Sequence, residues 1–140
     1  MFFKSILILM INFFSINKTY HINDFKWKNR ILVVINDLKN NFSIKADSLK
    51  QEFDERDLII VYLNKENAFL NNRKMSKHFS KSVLKKIKNI KRNQHHILIG
   101  KDGYIKNSYS SEIKIEKIFH DIDRMPMRKY EMKDSKNNLP

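Results

Sequence analysis

The segment Gly100-Lys101-Asp102-Gly103 places an amine beside a carboxyl group, and it holds both glycines of the chain. A lysine and an aspartate in such a loop could bind a ligand or transfer a proton. The alternative is structural, because Asp-Gly favours the positive φ angles of a tight turn. In that interpretation, which we favour, Asp102 shapes a turn and Lys101 is simply solvated.

Two arginines are further candidates for ionic chemistry. Arg56 precedes Asp57 at the start of a predicted strand, and Arg128 lies near the end of the chain. One pocket that held both arginines together with the Gly-Lys-Asp-Gly segment would suit an enzyme with a non-thiol site. The favoured interpretation is structural ion pairing, Arg56 with Asp57 and Arg128 with Asp123, because no nucleophile lies near them in the sequence.

Three neighbouring residues, Met125, Pro126 and Met127, precede Arg128. We expect the two methionines to pack around the proline rather than to form a cofactor site. Trp27 is the single tryptophan, and we expect it to anchor the core or the sheet edge.

The chain contains no cysteine. A thiolate nucleophile, a disulfide and a cysteine-ligated metal are therefore excluded, and thiol redox catalysis with them. Neighbours on a strand point to opposite faces, so His95 and His96 do not suit a single ion. The other histidines, His21, His78 and His120, lie on separate predicted elements. We expect no metal and no cofactor.

The formal net charge is +13 at pH 7. This excess favours an acidic partner, which could be a protein, a glycan or an anionic lipid surface. A nucleic acid is not expected, because no stacking motif or recognition helix is recognisable. A compositional alternative stays open: Lys, Asn and Ile are abundant and have AT-rich codons, so a biased genome would produce the same charge.

The N-terminus has the pattern of a secretory signal peptide over residues 1–19. Lys4 supplies the charged region, and the apolar run of residues 5–14 is too short to span a bilayer comfortably. We therefore expect export to the bacterial periplasm or the cell exterior, with an uncleaved membrane anchor as the alternative. Residues 20–132 are expected to form one domain, and residues 133–140 a disordered tail.

Hydrophobic patterns predict the elements that must position the candidate residues. Residues 30–36 and 57–63 are apolar, β-branched runs typical of buried parallel strands. Between them lies a predicted helix with Ser43 as its N-cap and an apolar face at helical spacing. That face consists of Phe42, Ala46, Leu49 and Phe53.

The second half of the chain continues with a predicted loop at residues 64–72, a helix at 76–90 and a hairpin at 96–109. A last helix, which ends near Met125, has the cleanest apolar face. The residues of this face are Ile115, Ile118, Phe119 and Ile122. The resulting order is β-α-β-α-β-β-α, the thioredoxin-like order, with a mixed four-stranded sheet and helices on both faces.

Several motifs have the spacing of a known family. They are Trp27-Lys28-Asn29-Arg30, Glu55-Arg56-Asp57, the stretch 98–103, and Met125-Pro126-Met127-Arg128 with Glu131-Met132. Together they resemble the domain of unknown function 4174 family over residues 22–132. That family occurs in short secreted bacterial proteins and in animal extracellular matrix proteins of the sushi-repeat and coiled-coil-domain type. The resemblance implies a thioredoxin-like, peroxiredoxin-related fold and no particular activity.

The candidate interaction or family-motif residues are Trp27, Arg30, Arg56, Asp57, Gly100, Lys101, Asp102, Gly103, Met125, Pro126, Met127 and Arg128. None is expected to be catalytic. We expect a secreted, non-catalytic binding module, with the non-thiol enzyme as the alternative.

Overall fold

The computed structural model describes residues 19–36 and 48–138. The predicted signal peptide up to residue 18 lies outside the described residues, as do Ser43, Phe42 and Ala46 of the predicted first helix. Within the described ranges, no helix combines the length and the apolar character needed to cross a membrane.

A six-stranded mixed sheet forms the centre of the fold. Its order is β4-β3-β2-β1-β5-β6, and β1 and β2 are parallel, whereas every other neighbouring pair is antiparallel. The strands are β1 (Arg30–Ile35), β2 (Leu58–Asn64), β3 (Asn67–Leu70), β4 (Arg73–Lys74), β5 (His96–Ile99) and β6 (Ile105–Tyr109). The two apolar runs are thus strands, as predicted, and they pair in parallel.

The prediction of four strands is wrong, because β3 and β4 form from residues expected to lie mainly in a loop. Asn71 and Asn72, between these strands, have φ angles of 50° and 61°. Asparagine tolerates this left-handed region, so the pair makes a tight reversal. Only Ala68 of β3 is buried, and the strand therefore lacks the hydrophobic alternation that would have revealed it.

Four α-helices of the described residues flank the sheet, namely α1 (Lys50–Glu55), α2 (Lys77–Ile87), α3 (Ile115–Asp123) and α4 (Pro126–Asn137). Ser76 caps α2, since its hydroxyl accepts a hydrogen bond of 3.1 Å from the Phe79 amide. Pro126 follows α3 and is also the first residue of α4. At this position its missing N–H removes no hydrogen bond of the helix. Helix α4 runs into the stretch that was expected to be disordered.

The core lies on both faces of the sheet because successive side chains of β1 alternate between them. Ile31 and Val33 pack in one cluster with α2, and Leu32 and Val34 pack in a second cluster with α1 and α3. The helix that was predicted to be the last is α3, and its predicted apolar face is confirmed. Ile115, Ile118, Phe119 and Ile122 are all buried, at 1%, 0%, 9% and 0% exposure.

Candidate functional site

The loop between β5 and β6 is a tight reversal, as predicted. The Gly100 carbonyl accepts a hydrogen bond of 2.9 Å from the Gly103 amide, and the Gly100 amide donates to the Tyr104 carbonyl at 2.9 Å. Gly103 has a φ of 81°, whereas Asp102 keeps a negative φ. The Asp102 carboxylate accepts from the Tyr104 amide at 3.1 Å, which confirms its role in shaping the turn.

Asp102 also forms an ion pair with Lys106. Burial opposes ionisation of this carboxyl group, but the hydrogen bonds from Lys106 and from the Tyr104 amide outweigh that effect. They hold the pKa of Asp102 below its usual 3.8. Asp102 is therefore an ionised turn residue.

Lys101 is not solvated, which corrects the expectation. Its side chain is only 10% exposed. The Nζ atom donates hydrogen bonds of 2.7 Å to the carboxylates of Asp57 and Glu131. A buried ammonium requires such partners, because its desolvation is otherwise very unfavourable.

Arg30 begins β1 and is 1% exposed. Its Nη1 atom donates to the Arg56 carbonyl at 2.8 Å, and its two terminal nitrogens contact both oxygens of Glu131 at 3.1 and 3.2 Å. Arginine suits this place because its planar guanidinium can donate a hydrogen bond to each oxygen of one carboxylate. The Arg30 Nε atom has no hydrogen-bond partner among the described residues.

Arg56 reaches Asp123 rather than Asp57, so the predicted Arg56–Asp57 pair is wrong. Two guanidinium nitrogens lie 3.0 and 2.8 Å from the Asp123 carboxylate. The guanidinium carbon also lies 4.5 Å from the centre of the Phe119 ring. The predicted pair of Arg128 with Asp123 is present at 3.2 Å, and Arg128 also donates to the Glu55 carbonyl at 2.7 Å.

These contacts join seven side chains into what we call the ionic cluster. It consists of Arg30, Arg56, Asp57, Lys101, Asp123, Arg128 and Glu131. In the sequence, Glu131 is named only as part of the family resemblance. The one local indication that it forms ion pairs is its spacing of three residues from Arg128 on the same helix. Asp102 lies outside the ionic cluster, so the four residues of the alternative enzyme site do not form one arrangement.

The cations of the ionic cluster keep the carboxyl groups of Asp123 and Glu131 ionised. Burial acts to raise the pKa of Glu131, but the hydrogen bonds from Arg30 and Lys101 outweigh this effect and hold the pKa below its usual 4.5. Burial likewise opposes ionisation of Asp123, and hydrogen bonds from Arg56 and Arg128 hold its pKa below 3.8. A carboxyl group tuned for proton transfer would show the opposite shift.

A cleft of about 180 Å³ lies beside the ionic cluster, between the β5–β6 loop and the start of α4. Its lining includes Arg30, Lys101 and the Met125-Pro126-Met127 segment. Met125 packs against the core, as expected. Met127 is 39% exposed, so the expectation of a packing role does not hold for that side chain.

Trp27 is not a core anchor, which corrects the prediction. Its side chain is 66% exposed and its φ is 64°. Its amide donates a hydrogen bond of 2.6 Å to the Lys101 carbonyl. The backbone of Trp27 is thus attached to the β5–β6 loop while its ring faces solvent.

The neighbouring histidines His95 and His96 each contact a nearby backbone carbonyl. Ring nitrogen Nδ1 of His96 lies 3.0 Å from the Ser110 carbonyl, and that of His95 lies 3.2 Å from the Asn93 carbonyl. Across residues 19–36 and 48–138, no three histidine, aspartate or glutamate side chains are grouped as a metal site would require.

Comparisons with known proteins place these residues in a family context. Neither the curated proteins nor the solved structures produced a match. The family described as domain of unknown function (DUF4174) matches residues 21–131, a span that includes every member of the ionic cluster. The chain therefore belongs to the DUF4174 family.

Proposed function

We propose that this protein is a secreted, non-catalytic module of thioredoxin-like fold that binds an acidic macromolecule. Support for the fold is the central order β2-β1-β5-β6, with a parallel pair followed by an antiparallel hairpin and a closing helix. In this view β3 and β4 are an addition at one edge. Support for export is the N-terminal pattern of one lysine followed by an apolar run.

The observation that carries the non-catalytic assignment is the internal pairing of the ionic cluster. Lys101, Arg56 and Arg128 donate to carboxylates or carbonyls of the same domain. The carboxyl groups of Asp123 and Glu131 are held ionised, and the chain has no thiol. These groups hold β1, the β5–β6 loop, α3 and α4 together. A catalytic site would instead leave an acid, base or nucleophile directed at a substrate.

The basic surface of α2 supports binding of an acidic partner. This helix contains no acidic residue, and its exposed lysines include Lys77, Lys81 and Lys85. A one-sided row of cations produces a positive potential that attracts polyanions at low ionic strength.

The proposal is tested by retention on heparin and on anionic vesicles while salt is raised. We expect binding at low salt that weakens as salt screens the charges. A Lys77→Gln, Lys81→Gln, Lys85→Gln variant should elute at clearly lower salt. A control with the same change in charge, Lys129→Gln, Lys133→Gln, Lys136→Gln in α4, should elute close to the unmodified protein. Absence of binding to both supports at low salt would refute the proposal.

The non-catalytic part has a separate test. The purified protein should neither reduce peroxide nor reduce insulin disulfides, because it lacks the sulfur atom that both reactions need. Turnover of either substrate, above that of a heat-denatured sample, would contradict the assignment.

A further inference from the structure

We propose that the surface around the β5–β6 loop binds an anionic phospholipid membrane, with Trp27 and Tyr104 entering the interface. This inference rests on the proposed function; it names the class of acidic partner and adds a second contact surface to the exposed lysines of α2. The surface, called here the loop surface, consists of Lys26, Trp27, Lys86, Tyr104, Ile105, Lys106 and Met127.

The loop surface gathers most of the large exposed apolar side chains of the described residues. Trp27 is 66% exposed and Tyr104 is 69% exposed, and Ile105 and Met127 are also exposed. The others are Tyr20, whose ring stacks on the ring of Phe25, and Tyr130 of α4. Exposed apolar side chains are ordinary when scattered, but a group of them rimmed by charge marks an interaction site.

Specific contacts bring Lys26, Trp27 and Met127 to the β5–β6 loop. The Trp27 amide is bonded to the Lys101 carbonyl. The aliphatic part of Lys26 lies against Gly103, where an added Cβ would be 3.0 Å from two of its carbons. Tyr104 follows that glycine directly, and Met127 shares the 180 Å³ cleft with Lys101 and Lys106.

The backbone of Trp27 strengthens the inference. A φ of 64° lies in the left-handed region, which is unfavourable for a residue with a bulky side chain. Burial of the ring does not offset this strain, because the ring is mostly exposed. Such strain is typical of positions where a side chain is presented for function.

The charges of the loop surface suit an anionic layer. The ammonium groups of Lys86 and Lys106 lie 5.9 and 6.0 Å from the centre of the Tyr104 ring, and Asp102 pairs with one of them, Lys106. Lysines beside aromatic rings can reach phosphate headgroups while the rings occupy the boundary between water and acyl chains.

The apolar residues favour a membrane over a sulfated glycan. Ile105 and Met127 have no charge or hydrogen-bonding side-chain group to offer a sulfate. Tryptophan and tyrosine are the residues enriched at membrane–water interfaces, and neighbouring aliphatic side chains can enter the acyl region. A glycan therefore becomes an alternative outcome of the test.

The experiment uses the full protein and its single tryptophan. Vesicles containing phosphatidylglycerol and phosphatidylcholine should shift the Trp27 emission to shorter wavelength at low salt, and vesicles of phosphatidylcholine alone should not. Trp27→Ala with Tyr104→Ala should weaken co-sedimentation with the anionic vesicles at least tenfold. Tyr20→Ala with Tyr130→Ala is the matched control and should co-sediment normally.

The outcomes separate the two proposals. Vesicle binding with unchanged Trp27 emission, or full binding by the Trp27→Ala, Tyr104→Ala variant, would contradict membrane binding by the loop surface. The proposal of an acidic partner would then still stand. Binding to heparin without binding to vesicles would also contradict membrane binding, in favour of a glycan. Far-ultraviolet circular dichroism of each variant checks folding, and Trp27→Gly, which accommodates the positive φ, provides a second test of the ring.

Discussion

The guanidinium of Arg30 and the carboxylate of Glu131 share two hydrogen bonds, of 3.1 and 3.2 Å, across 101 residues of sequence. The arginine begins the central strand β1, and the glutamate lies in α4. Lys101 donates to the same carboxylate, so one side chain of α4 joins β1 to the β5–β6 loop. The last helix is thereby attached to the sheet by charge.

Removal of the Arg30 guanidinium should destabilise the protein. Breaking a buried pair costs about 3–5 kcal/mol when one charge is left unpaired. Because Glu131 is partly exposed and keeps Lys101, we expect Arg30→Met to cost about 2–3 kcal/mol, below that range. Urea denaturation measures the change in midpoint. Lys50→Met breaks the exposed pair with Asp54 and should cost less than about 0.5 kcal/mol. Equal effects of the two changes would contradict the buried role.

Stability should fall in acid because Asp123 and Glu131 have folded-state pKa values below their usual 3.8 and 4.5. The unfolded chain then binds more protons than the native protein, so stability decreases as pH falls. The contribution is complete above about pH 5 and is lost from there down through the lowered folded pKa values. Urea midpoints measured from pH 7 to pH 3 should show this decrease.

Glu131→Gln gives the matched control for the acid titration. This variant should be less stable at pH 7 and should lose less of its remaining stability between pH 5 and pH 3, because one of the titrating groups is gone. Parallel curves for the variant and the unmodified protein would show that Glu131 does not titrate in the expected way.

Gly103→Ala should destabilise the β5–β6 loop by about 1–2 kcal/mol, since a left-handed φ is unfavourable for a residue with a Cβ. The new methyl group would also meet the Lys26 side chain. Gly103→Asn should cost less, because asparagine tolerates positive φ. Thermal unfolding monitored by circular dichroism compares the two variants. The same cost for both would show that contact with Lys26, rather than φ, is decisive.

Ile118→Ala should be among the costly core substitutions. The side chain is fully buried in the cluster between α3 and the sheet, and such truncations cost about 2–5 kcal/mol. Tyr130→Ala on the neighbouring helix removes an exposed ring and should change stability by less than about 0.5 kcal/mol. Denaturant midpoints distinguish the two.

Periodicity and β-branched runs made β1, β2, β5 and α3 predictable from sequence, because every apolar residue of these elements is buried or half-buried. The hairpin of β3 and β4 at the sheet edge was not predicted, because β3 buries only one alanine and the turn between the two strands consists of two asparagines. A short strand whose side chains are half exposed looks like a loop in sequence.

The residues of the candidate site were predictable from sequence, but among their ion pairs only Arg128–Asp123 was predicted correctly. Arg56, Lys101 and Arg128 were recognised, whereas Asp123 is 67 residues from Arg56 and Glu131 is 30 residues from Lys101. Which carboxylate pairs with which cation depends on how α3 and α4 lie against the sheet, and adjacency in sequence, as for Arg56 and Asp57, was misleading. Residue type alone likewise predicts neither the exposure of the Trp27 ring nor its positive φ.

The brevity of β4 has a consequence for how copies of this protein meet. Edge strands offer unsatisfied backbone groups to a neighbouring chain, and long apolar edges promote intermolecular sheet growth and aggregation. Here that edge is two residues long, Arg73–Lys74, and both side chains are exposed and cationic. An approaching copy would gain few backbone hydrogen bonds and would meet like charge, so this side of the sheet resists fibril-like stacking.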